Sequence, residues 1–353
     1  MNRGMKTLTQ FLIEERRRFP AATGELNGLI LSIAVACKSI ATHVGHGAFA
    51  AAPGAAARQP LEALANEIFQ RCVEWGGHAA AMMSGQTVTP FAAAPGTSGK
   101  YLVVFDALDG APDIELNVSV GSLFSILRAG AEDSPAGAVT QHAFLQRGAA
   151  QVAAGYAIYG PSTMLVLTVG NGTHGFTLER SIGEFMLTHP DLRIPAATSQ
   201  FAIDSSNSRF WEAPVRRYVA ECLLGAAGAR ERDFEMRWVA SLVADAHRIL
   251  MRGGVFLNPW NRLVPQHPGG VRLLSEANPI AFLVEQAGGR ASTGRLPVLG
   301  VEPAEIHQRA GLVFGSREEV ERVESYHRDD LVEAGIDLPL FQSRGLFRDS
   351  LVA

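Results

Sequence analysis

Residues 99–110 read Gly99-Lys-Tyr-Leu-Val-Val-Phe-Asp-Ala-Leu-Asp-Gly110, and this segment sets the architecture of the chain. Its apolar run, residues 101–105, lies between Gly-Lys and Asp and predicts a buried β-strand. Asp106 stands at the carboxyl end of that strand, where α/β sheets place their ligands. Asp109 follows three residues later across a turn closed by Gly110, so both carboxylates can converge on one point. Asp-x-x-Asp-Gly is also common in ordinary turns, so a turn and a cation site remain alternatives here.

A second acidic segment strengthens the cation alternative. Arg272-Leu-Leu-Ser-Glu-Ala-Asn-Pro279 places Glu276 just before a predicted helix start, where the helix dipole favours an anion. Glu276 alone is equally compatible with an ordinary first-turn glutamate. Together with Asp106 and Asp109, however, it supplies hard oxygen ligands of the kind that suit Mg²⁺, which keeps several waters and bridges to substrate phosphate.

Helix and strand patterns alternate along the rest of the chain. Asn171-Gly172 predicts a hairpin, Asn278-Pro279 a helix start and Gly288-Gly289 its end. The Ala/Gly/Pro-rich residues 45–59 predict a loop. We therefore expect an α/β protein of two α/β halves, residues 1–195 and 196–353, with sheets and helices in layers. Helices are predicted over residues 8–19, 25–43, 61–75, 211–224 and 238–252, and further strands over 118–127, 152–159, 164–169 and 254–257.

The amino-acid composition limits the kinds of protein that this chain can be. The chain has 353 residues, 47% of them hydrophobic, and a formal net charge of −4, which gives no reason to expect nucleic-acid binding. Cys37, Cys72 and Cys222 form no close-spaced pair, so neither a disulfide framework nor a zinc site is indicated. No apolar run is expected to reach the length that spans a bilayer, and the N-terminus lacks a signal pattern. We expect a soluble, cytoplasmic protein that binds no membrane.

Several further segments match, in order, those of a known family. They are Val118-Ser-Val-Gly-Ser-Leu-Phe124, Ala154-Gly-Tyr-Ala-Ile-Tyr-Gly160, Gly254-Val-Phe-Leu257, Glu276-Ala-Asn-Pro-Ile-Ala-Phe-Leu-Val-Glu-Gln-Ala-Gly-Gly289 and Ile306-His-Gln-Arg309. With residues 99–110 they resemble the class 1 fructose-1,6-bisphosphatases. The resemblance implies a sugar-phosphatase fold, removal of the 1-phosphate of fructose 1,6-bisphosphate with Mg²⁺ (Mn²⁺ being an alternative), and a homotetramer.

The resemblance also implies roles for single residues. Asp106, Asp109 and Glu276 fall on metal ligands, and Leu108 offers its carbonyl. Glu62 falls where the family has an aspartate near the metals, so we predict a catalytic role for it beside Asp106 and Asp109. The predicted substrate contacts are Asp109, Gly110, Ala111, Asp204, Arg237, which would reach the substrate of a neighbouring subunit, and Arg272, which would touch the sugar.

A candidate AMP site is a separate prediction. It comprises Thr23, Gly24, Glu25 and Leu26 at a helix start, together with Lys100 and Tyr101. A helix N-terminus with free amides would hold the phosphate. An ordinary helix start is an equally good interpretation of the same residues.

Two segments depart from the family pattern. Ser84-Gly85-Gln86 stands where the family has Ser-Glu-Glu, and the loss of a positioned base costs about 10²–10⁴-fold in rate. Asp109-Gly-Ala-Pro-Asp113 replaces Asp-Gly-Ser-Ser-Asn, so Pro112 removes an N–H and Asp113 adds a negative charge beside the phosphate. Trp238, Asn258 and Gly270 depart from the family at the far end of the pocket.

Three hypotheses follow from this pattern. The favoured one is an active fructose-1,6-bisphosphatase in which Glu62 or Gln86 compensates for the missing glutamate. The second is a catalytically impaired paralogue that binds, regulates or assembles with an intact relative. The third is a phosphatase for a substrate with one phosphate. Fold resemblance alone does not separate them, whereas a contact between Glu62 or Glu115 and the acidic cluster would favour the first.

Overall fold

The computed structural model describes residues 5–18, 24–46, 60–87, 89–92, 99–130, 139–260 and 269–336. Most of the predicted loop at residues 45–59, and Thr23 of the candidate AMP site, lie outside these ranges. Each predicted helix is present within one to four residues of its expected bounds. The helices are α1 (Leu8–Arg17), α2 (Glu25–Gly45), α3 (Leu61–Gly76), α4 (Ala213–Leu224), α5 (Leu242–Arg252), α6 (Asn278–Gln286) and α7 (Arg317–Ile336).

The strands form two main sheets. The first has eight strands in the order β2-β1-β3-β4-β5-β6-β7-β8, and the second has five in the order β10-β9-β11-β15-β13. In the first sheet only the pair of β1 and β3 is parallel. The strands are β1 (Ala79–Ser84), β2 (Phe91–Ala92), β3 (Tyr101–Asp109), β4 (Val120–Arg128), β5 (Ala153–Tyr159), β6 (Thr163–Thr168), β7 (Thr173–Glu179), β8 (Glu184–Leu192), β9 (Gln200–Ile203), β10 (Glu235–Met236), β11 (Val255–Asn258), β12 (Val271–Arg272), β13 (Arg290–Ser292), β14 (Arg309–Ala310) and β15 (Leu312–Gly315).

Three helical layers alternate with the two sheets. α1, α2 and α3 pack on one face of the first sheet in one apolar cluster. α5 and α6 fill the space between the two sheets, and α4 and α7 cover the outer face of the second sheet. The layered α/β architecture is confirmed. The division of the chain at residue 195 stays a prediction, although the first sheet ends at Leu192 and the second begins at Gln200.

The end of β3 differs from the sequence-based expectation. The strand continues through Asp109, and the register slips between Asp106, which faces Leu123, and Asp109, which faces Gly121. In a regular strand residues three apart point to opposite faces. Here β3 has one more residue than β4 between these pairs, and this bulge brings Asp106 and Asp109 to the same face of the sheet. Bulges commonly redirect a side chain beside an active site. The two aspartates are therefore joined through a bulge and not across a turn.

The start of α5 was also predicted wrongly, at residue 238. The helix begins at Leu242 because the Oγ of Ser241 accepts a hydrogen bond from the N–H of Ala244 and caps it. At the other boundary, Glu276 lies inside a π-helical turn, Leu273–Ala277, that runs into α6. The helix α6 itself begins at Asn278, as the sequence predicted, and the π-helical turn leads directly into it.

One helix overturns the expectation that no apolar run reaches the length of a membrane span. α2 has 21 residues with a mean hydropathy of 1.5 in its most apolar window, enough to cross a bilayer by length and composition. A buried core helix passes the same test. Here Leu29, Ile33, Cys37 and Ile40 are fully buried in the cluster that joins α2 to the first sheet, so the apolar composition serves the core.

Candidate active site

Three carboxyl groups that the sequence singled out belong to one electrostatic cluster. Asp106 and Glu276 are 5% and 8% exposed. Burial, followed by the charges of Asp106 and Glu276, raises the pKa of Asp109 from 3.8 to about 8. Burial likewise raises the pKa of Asp106 and, with the charge of Asp106, that of Glu276. The three groups therefore resist holding three negative charges at once.

Arg272 joins two members of this cluster. Its Nη1 donates to Oδ2 of Asp106 at 3.3 Å and to Oε1 of Glu276 at 2.8 Å, and its backbone N–H donates to Oε2 of Glu276 at 2.8 Å. The guanidinium partly offsets the rise in the pKa of both carboxyl groups. Within the described part of the chain, no three His, Cys, Asp or Glu side chains are already arranged around one metal position.

Asp109 is held by the start of α5. Its Oδ2 accepts a hydrogen bond from the N–H of Val243 at 3.2 Å, in the first turn of the helix. The positive end of the helix dipole therefore faces this carboxyl group. Gly110 follows in the left-handed region, with φ of 78°, and opens a 3₁₀ turn over Ala111–Ile114. A glycine is required there because other residues adopt this conformation only under strain.

Glu62 is connected to the segment that departs from the family. It lies in the first turn of α3, and its Oε1 accepts a hydrogen bond from Nε2 of Gln86 at 2.6 Å. The charge of Glu62 contributes to the raised pKa of Asp106, which places Glu62 near the cluster. Glu115, the other acidic group considered, is exposed. Of the two, Glu62 is therefore the acidic residue associated with the cluster.

Gly85 packs closely against Ser275 and Arg272. A Cβ atom built on Gly85 would lie 3.0 Å from Oγ of Ser275 and 3.4 Å from Nη1 of Arg272. The Ser275 hydroxyl is buried without a hydrogen-bond partner among the described residues. A glutamate at position 85 would thus begin directly beside the guanidinium that now joins Asp106 to Glu276.

Two predicted substrate residues occupy other parts of the molecule. Asp204 caps the 3₁₀ turn Ser205–Phe210, and its Oδ1 accepts a hydrogen bond from the N–H of Ser206 at 3.0 Å. Arg237 is exposed and forms an ion pair with Glu235. Among the described residues, the side-chain hydrogen bonds and ion pairs of Asp204 and Arg237 are with neighbours in sequence, and none of them reaches the acidic cluster.

The described residues of the candidate AMP site do meet. Gly24 caps α2 with φ of 88°, and Glu25 in the first turn pairs with Nζ of Lys100 at 2.9 Å. Tyr101 lies next to this pair, and burial raises the pKa of its hydroxyl. Leu26 packs against the core. A carboxylate already faces the lysine and the helix start, where a phosphate would have to bind.

Sequence reasoning missed two contributors to the site, the Val243 amide and the Ser275 hydroxyl. Ser241 in front of an apolar helical pattern is a recognisable N-cap and could have placed α5 correctly. No comparable signal exists for Ser275, because the burial of its hydroxyl without a described hydrogen-bond partner is a feature of tertiary packing.

The layered α/β fold and its buried acidic cluster define a protein of the sugar-phosphatase class. The family described as "Fructose-1-6-bisphosphatase, N-terminal domain" matches residues 6–190, and "Fructose-1-6-bisphosphatase, C-terminal domain" matches residues 194–328. The chain therefore belongs to the fructose-1,6-bisphosphatase family, as the sequence predicted. The family is generally metal-dependent.

Individual relatives cover nearly the whole chain. A "Fructose-1,6-bisphosphatase class 1" of Hydrogenophilus thermoluteolus is 58% identical over 97% of each chain. A "Fructose-1,6-bisphosphatase class 1 3" of Methylibium petroleiphilum is 54% identical over 98% of this chain and 99% of its own. The structure of Leishmania major fructose-1,6-bisphosphatase in holo form superposes with a TM-score of 0.84, at 33% identity, over 92% of this chain and 99% of that one.

Proposed function

We propose that this protein hydrolyses the 1-phosphate of fructose 1,6-bisphosphate, releasing fructose 6-phosphate and inorganic phosphate, with Mg²⁺ as the natural cofactor and Mn²⁺ as an alternative. The observation that carries the proposal is the buried cluster of Asp106, Asp109 and Glu276, in which Arg272 pairs with Asp106 and Glu276 while no described salt bridge reaches Asp109. The names of the relatives support the same substrate, and none of them supports the binding-subunit alternative.

The donor chemistry of the cluster fits a divalent cation. Burial and, after it, repulsion from Asp106 and Glu276 raise the pKa of Asp109, and a cation that joins the carboxylates would relieve the repulsion. Asp106, Asp109, Glu276 and the Leu108 carbonyl would hold the ion with hard oxygen ligands. When bound, the metal polarises the phosphoryl oxygen and lowers the pKa of a coordinated water.

Glu62 is our candidate for the group that accepts the proton of the attacking water. The hydrogen bond from the Gln86 amide N–H orients the carboxylate of Glu62. Its side chain is one methylene longer than the aspartate of the family, which extends its reach toward the cluster. In this proposal one carboxylate performs the proton transfer for which the family uses its Ser-Glu-Glu segment.

The remaining chain contributes substrate contacts. Gly110 and Ala111 would present the turn after β3 to the 1-phosphate, while Arg272 would contact the sugar. Asp204 and Arg237 would serve the far end, with Arg237 reaching a neighbouring subunit in a homotetramer. We further propose a cytoplasmic location and the AMP site around Gly24, Glu25, Lys100 and Tyr101.

The test is phosphate release from fructose 1,6-bisphosphate by the purified protein while Mg²⁺ or Mn²⁺ is varied. Asp109→Ala is the blank, and Asp113→Ala is the matched control on the same turn, because it removes an acidic group outside the predicted ligand set. We expect metal-dependent release by the wild type and by Asp113→Ala, and none by Asp109→Ala. A folded wild type that releases no more phosphate than the blank would contradict the proposal and favour the binding or assembly role.

A further inference from the structure

A cavity of about 460 Å³ lies beside the second half of α5, whereas the contact of this helix with Asp109 is in its first turn. Residues of α5, of β6, of β8 and of the β9–β10 region border it. The volume falls in the range of sites that hold small metabolites. Arg237 lines this cavity and is also a proposed substrate contact, whereas Arg248, Arg252, Met164 and Met251 belong neither to the acidic cluster nor to the proposed substrate contacts. A ligand held by these four residues would therefore be a function beyond the proposed one.

The charge around the cavity is positive. Arg237, Arg248 and Arg252 line it, and the carboxylates that pair with them are Glu235 and Asp245. The three guanidinium groups and two carboxylates together carry a net charge of +1. Arg252 lies in the last turn of α5, is exposed, and pairs with no carboxylate in the described ranges.

Arg248 offers a donor that the protein does not use. Its Nη1 donates to Oε1 of Gln200 at 3.2 Å, and its Nη2 contacts Oδ1 of Asp245 at 3.4 Å. Its Nε is buried with no hydrogen-bond partner among the described residues. A buried charged donor without an acceptor is costly, so an acceptor inside the cavity would stabilise this arrangement.

The other residues that line the cavity could contact the uncharged part of a small anionic ligand. Nδ1 of His247 lies 2.9 Å from the Tyr156 hydroxyl. In the tautomer that carries its proton on Nε2, Nδ1 accepts a hydrogen bond from this hydroxyl and Nε2 remains a donor. Burial lowers the pKa of His247 to about 4, which keeps the ring neutral at physiological pH. Met164 and Met251 add apolar surface, and a flexible thioether adapts to a carbon skeleton.

We propose that this cavity binds a small phosphorylated ligand, whose phosphate lies between Arg248 and Arg252 and whose carbon skeleton rests on Met164 and Met251. The shared chemistry is a phosphoryl dianion, supplied by a phosphate monoester or by inorganic phosphate. The volume favours the monoester because it exceeds what a single phosphate fills. Since α5 also holds Asp109 through its first turn, a ligand at its second half binds the helix that positions the acidic cluster.

The test follows the methionine methyl groups by ¹³C NMR of the full-length, natively assembled protein during titration with inorganic phosphate and, separately, with fructose 6-phosphate. Met164 and Met251 report on the cavity. Met82 and Met83 in β1 lie just before Ser84 and report on the acidic cluster. We expect saturable shifts of the Met164 and Met251 signals. Tighter binding of fructose 6-phosphate would identify a monoester site, and equal binding would identify a site for phosphate itself.

Two variants locate the binding. Arg252→Gln removes an exposed guanidinium, and Arg248→Lys keeps the charge beside Asp245 but loses the Nε donor. Each should weaken the titration of the Met164 and Met251 signals about tenfold or more, as expected for a charged hydrogen bond. Arg71→Gln, which removes an exposed arginine on α3, should leave it unchanged. Shifts confined to Met82 and Met83, no saturable shift, or equal affinity in all variants would overturn the proposal.

Discussion

At the scale of single residues, the carboxyl group of Asp109 couples the stability of the fold to pH. Its pKa in the folded state is about 8, against an ordinary value of 3.8. The folded protein therefore binds this proton more tightly than the unfolded chain does. The contribution to stability is fully present below about pH 4 and is lost as pH rises toward about 8.

The metal-free protein should accordingly have a lower Tm at about pH 8 than at about pH 6, because deprotonation of Asp109 is costly in the folded state. Asp109→Asn should remove most of this difference, and Mg²⁺ should raise the wild-type Tm more at the higher pH. Thermal unfolding at both pH values, with Asp113→Asn as the control, measures this. Parallel pH profiles for wild type and Asp109→Asn would contradict the assignment.

Glu62 and Gln86 form the second pair that can be tested residue by residue. Glu62→Gln should lower kcat by about 10²–10⁴-fold because the proton acceptor is lost. Gln86→Ala should have a smaller effect, since the carboxyl group of Glu62 stays in place but loses its orienting hydrogen bond.

Glu67→Gln on the same helix is the matched control, because Glu67 pairs only with the exposed Arg71 among its described salt bridges. Steady-state kinetics at saturating Mg²⁺ would measure all three variants. If Glu62→Gln retained the activity of Glu67→Gln, another group would have to accept the proton.

At the scale of elements, the start of α5 brings a cap and a site contact together. The Ser241 Oγ caps the helix through Ala244, and the adjacent Val243 amide holds Asp109. Ser241→Ala should lower the free energy of unfolding by about 1 kcal/mol, as typical for a lost N-cap. It should also reduce activity, because the first turn that positions Asp109 frays.

The capping box of α1 provides a control of the same chemistry. Thr7 caps that helix with Gln10, far along the chain from the acidic cluster. Thr7→Ala should cost a similar free energy and leave kcat/KM unchanged. Urea unfolding and kinetics on both variants would compare the two. Equal loss of activity in both would mean that α5 has no special link to the site.

Elements with strong local signals were predictable from the sequence. The hairpin at Asn171-Gly172 and the helix over residues 61–75 follow turn chemistry and helical periodicity, and both are present. The strand Ala79–Ser84, with the sequence Ala-Ala-Ala-Met-Met-Ser, was not predicted. Its residues favour a helix, and its strand geometry depends on parallel pairing with β3.

At the scale of the whole molecule, one buried ion pair ties the outer helical layer together. Nη2 of Arg230 contacts both carboxylate oxygens of Glu319 at 2.6 Å, and the Tyr218 hydroxyl donates to the same carboxylate at 2.8 Å. The side chains of Arg230 and Glu319 are 2% and 1% exposed. The hydrogen bond from Tyr218 joins α4 to α7, and Arg230 ties the segment after α4 to the same carboxylate of α7.

Arg230→Met should lower the free energy of unfolding by about 3–5 kcal/mol, because it leaves Glu319 with an incompletely compensated buried charge. Arg232 also pairs with Glu319, but its side chain is 40% exposed, so Arg232→Met should cost only about 0–1 kcal/mol. Chemical denaturation of both variants would compare them. Equal losses of unfolding free energy in the two variants would show that the burial of Arg230 does not determine the strength of its ion pair.

The amino-acid sequence by itself determined the α/β class, the family, and the positions of Asp106, Asp109 and Glu276. Turn residues, apolar periodicity and ordered motifs are local signals, readable without knowledge of long-range contacts. Only the tertiary structure showed that a β-bulge separates Asp106 from Asp109 in β3. It also showed that Arg272 joins Asp106 to Glu276 and that Gln86 donates a hydrogen bond to Glu62. Each of these contacts joins side chains from separate elements, or depends on strand register, and packing energy fixes such features only once the layers have assembled.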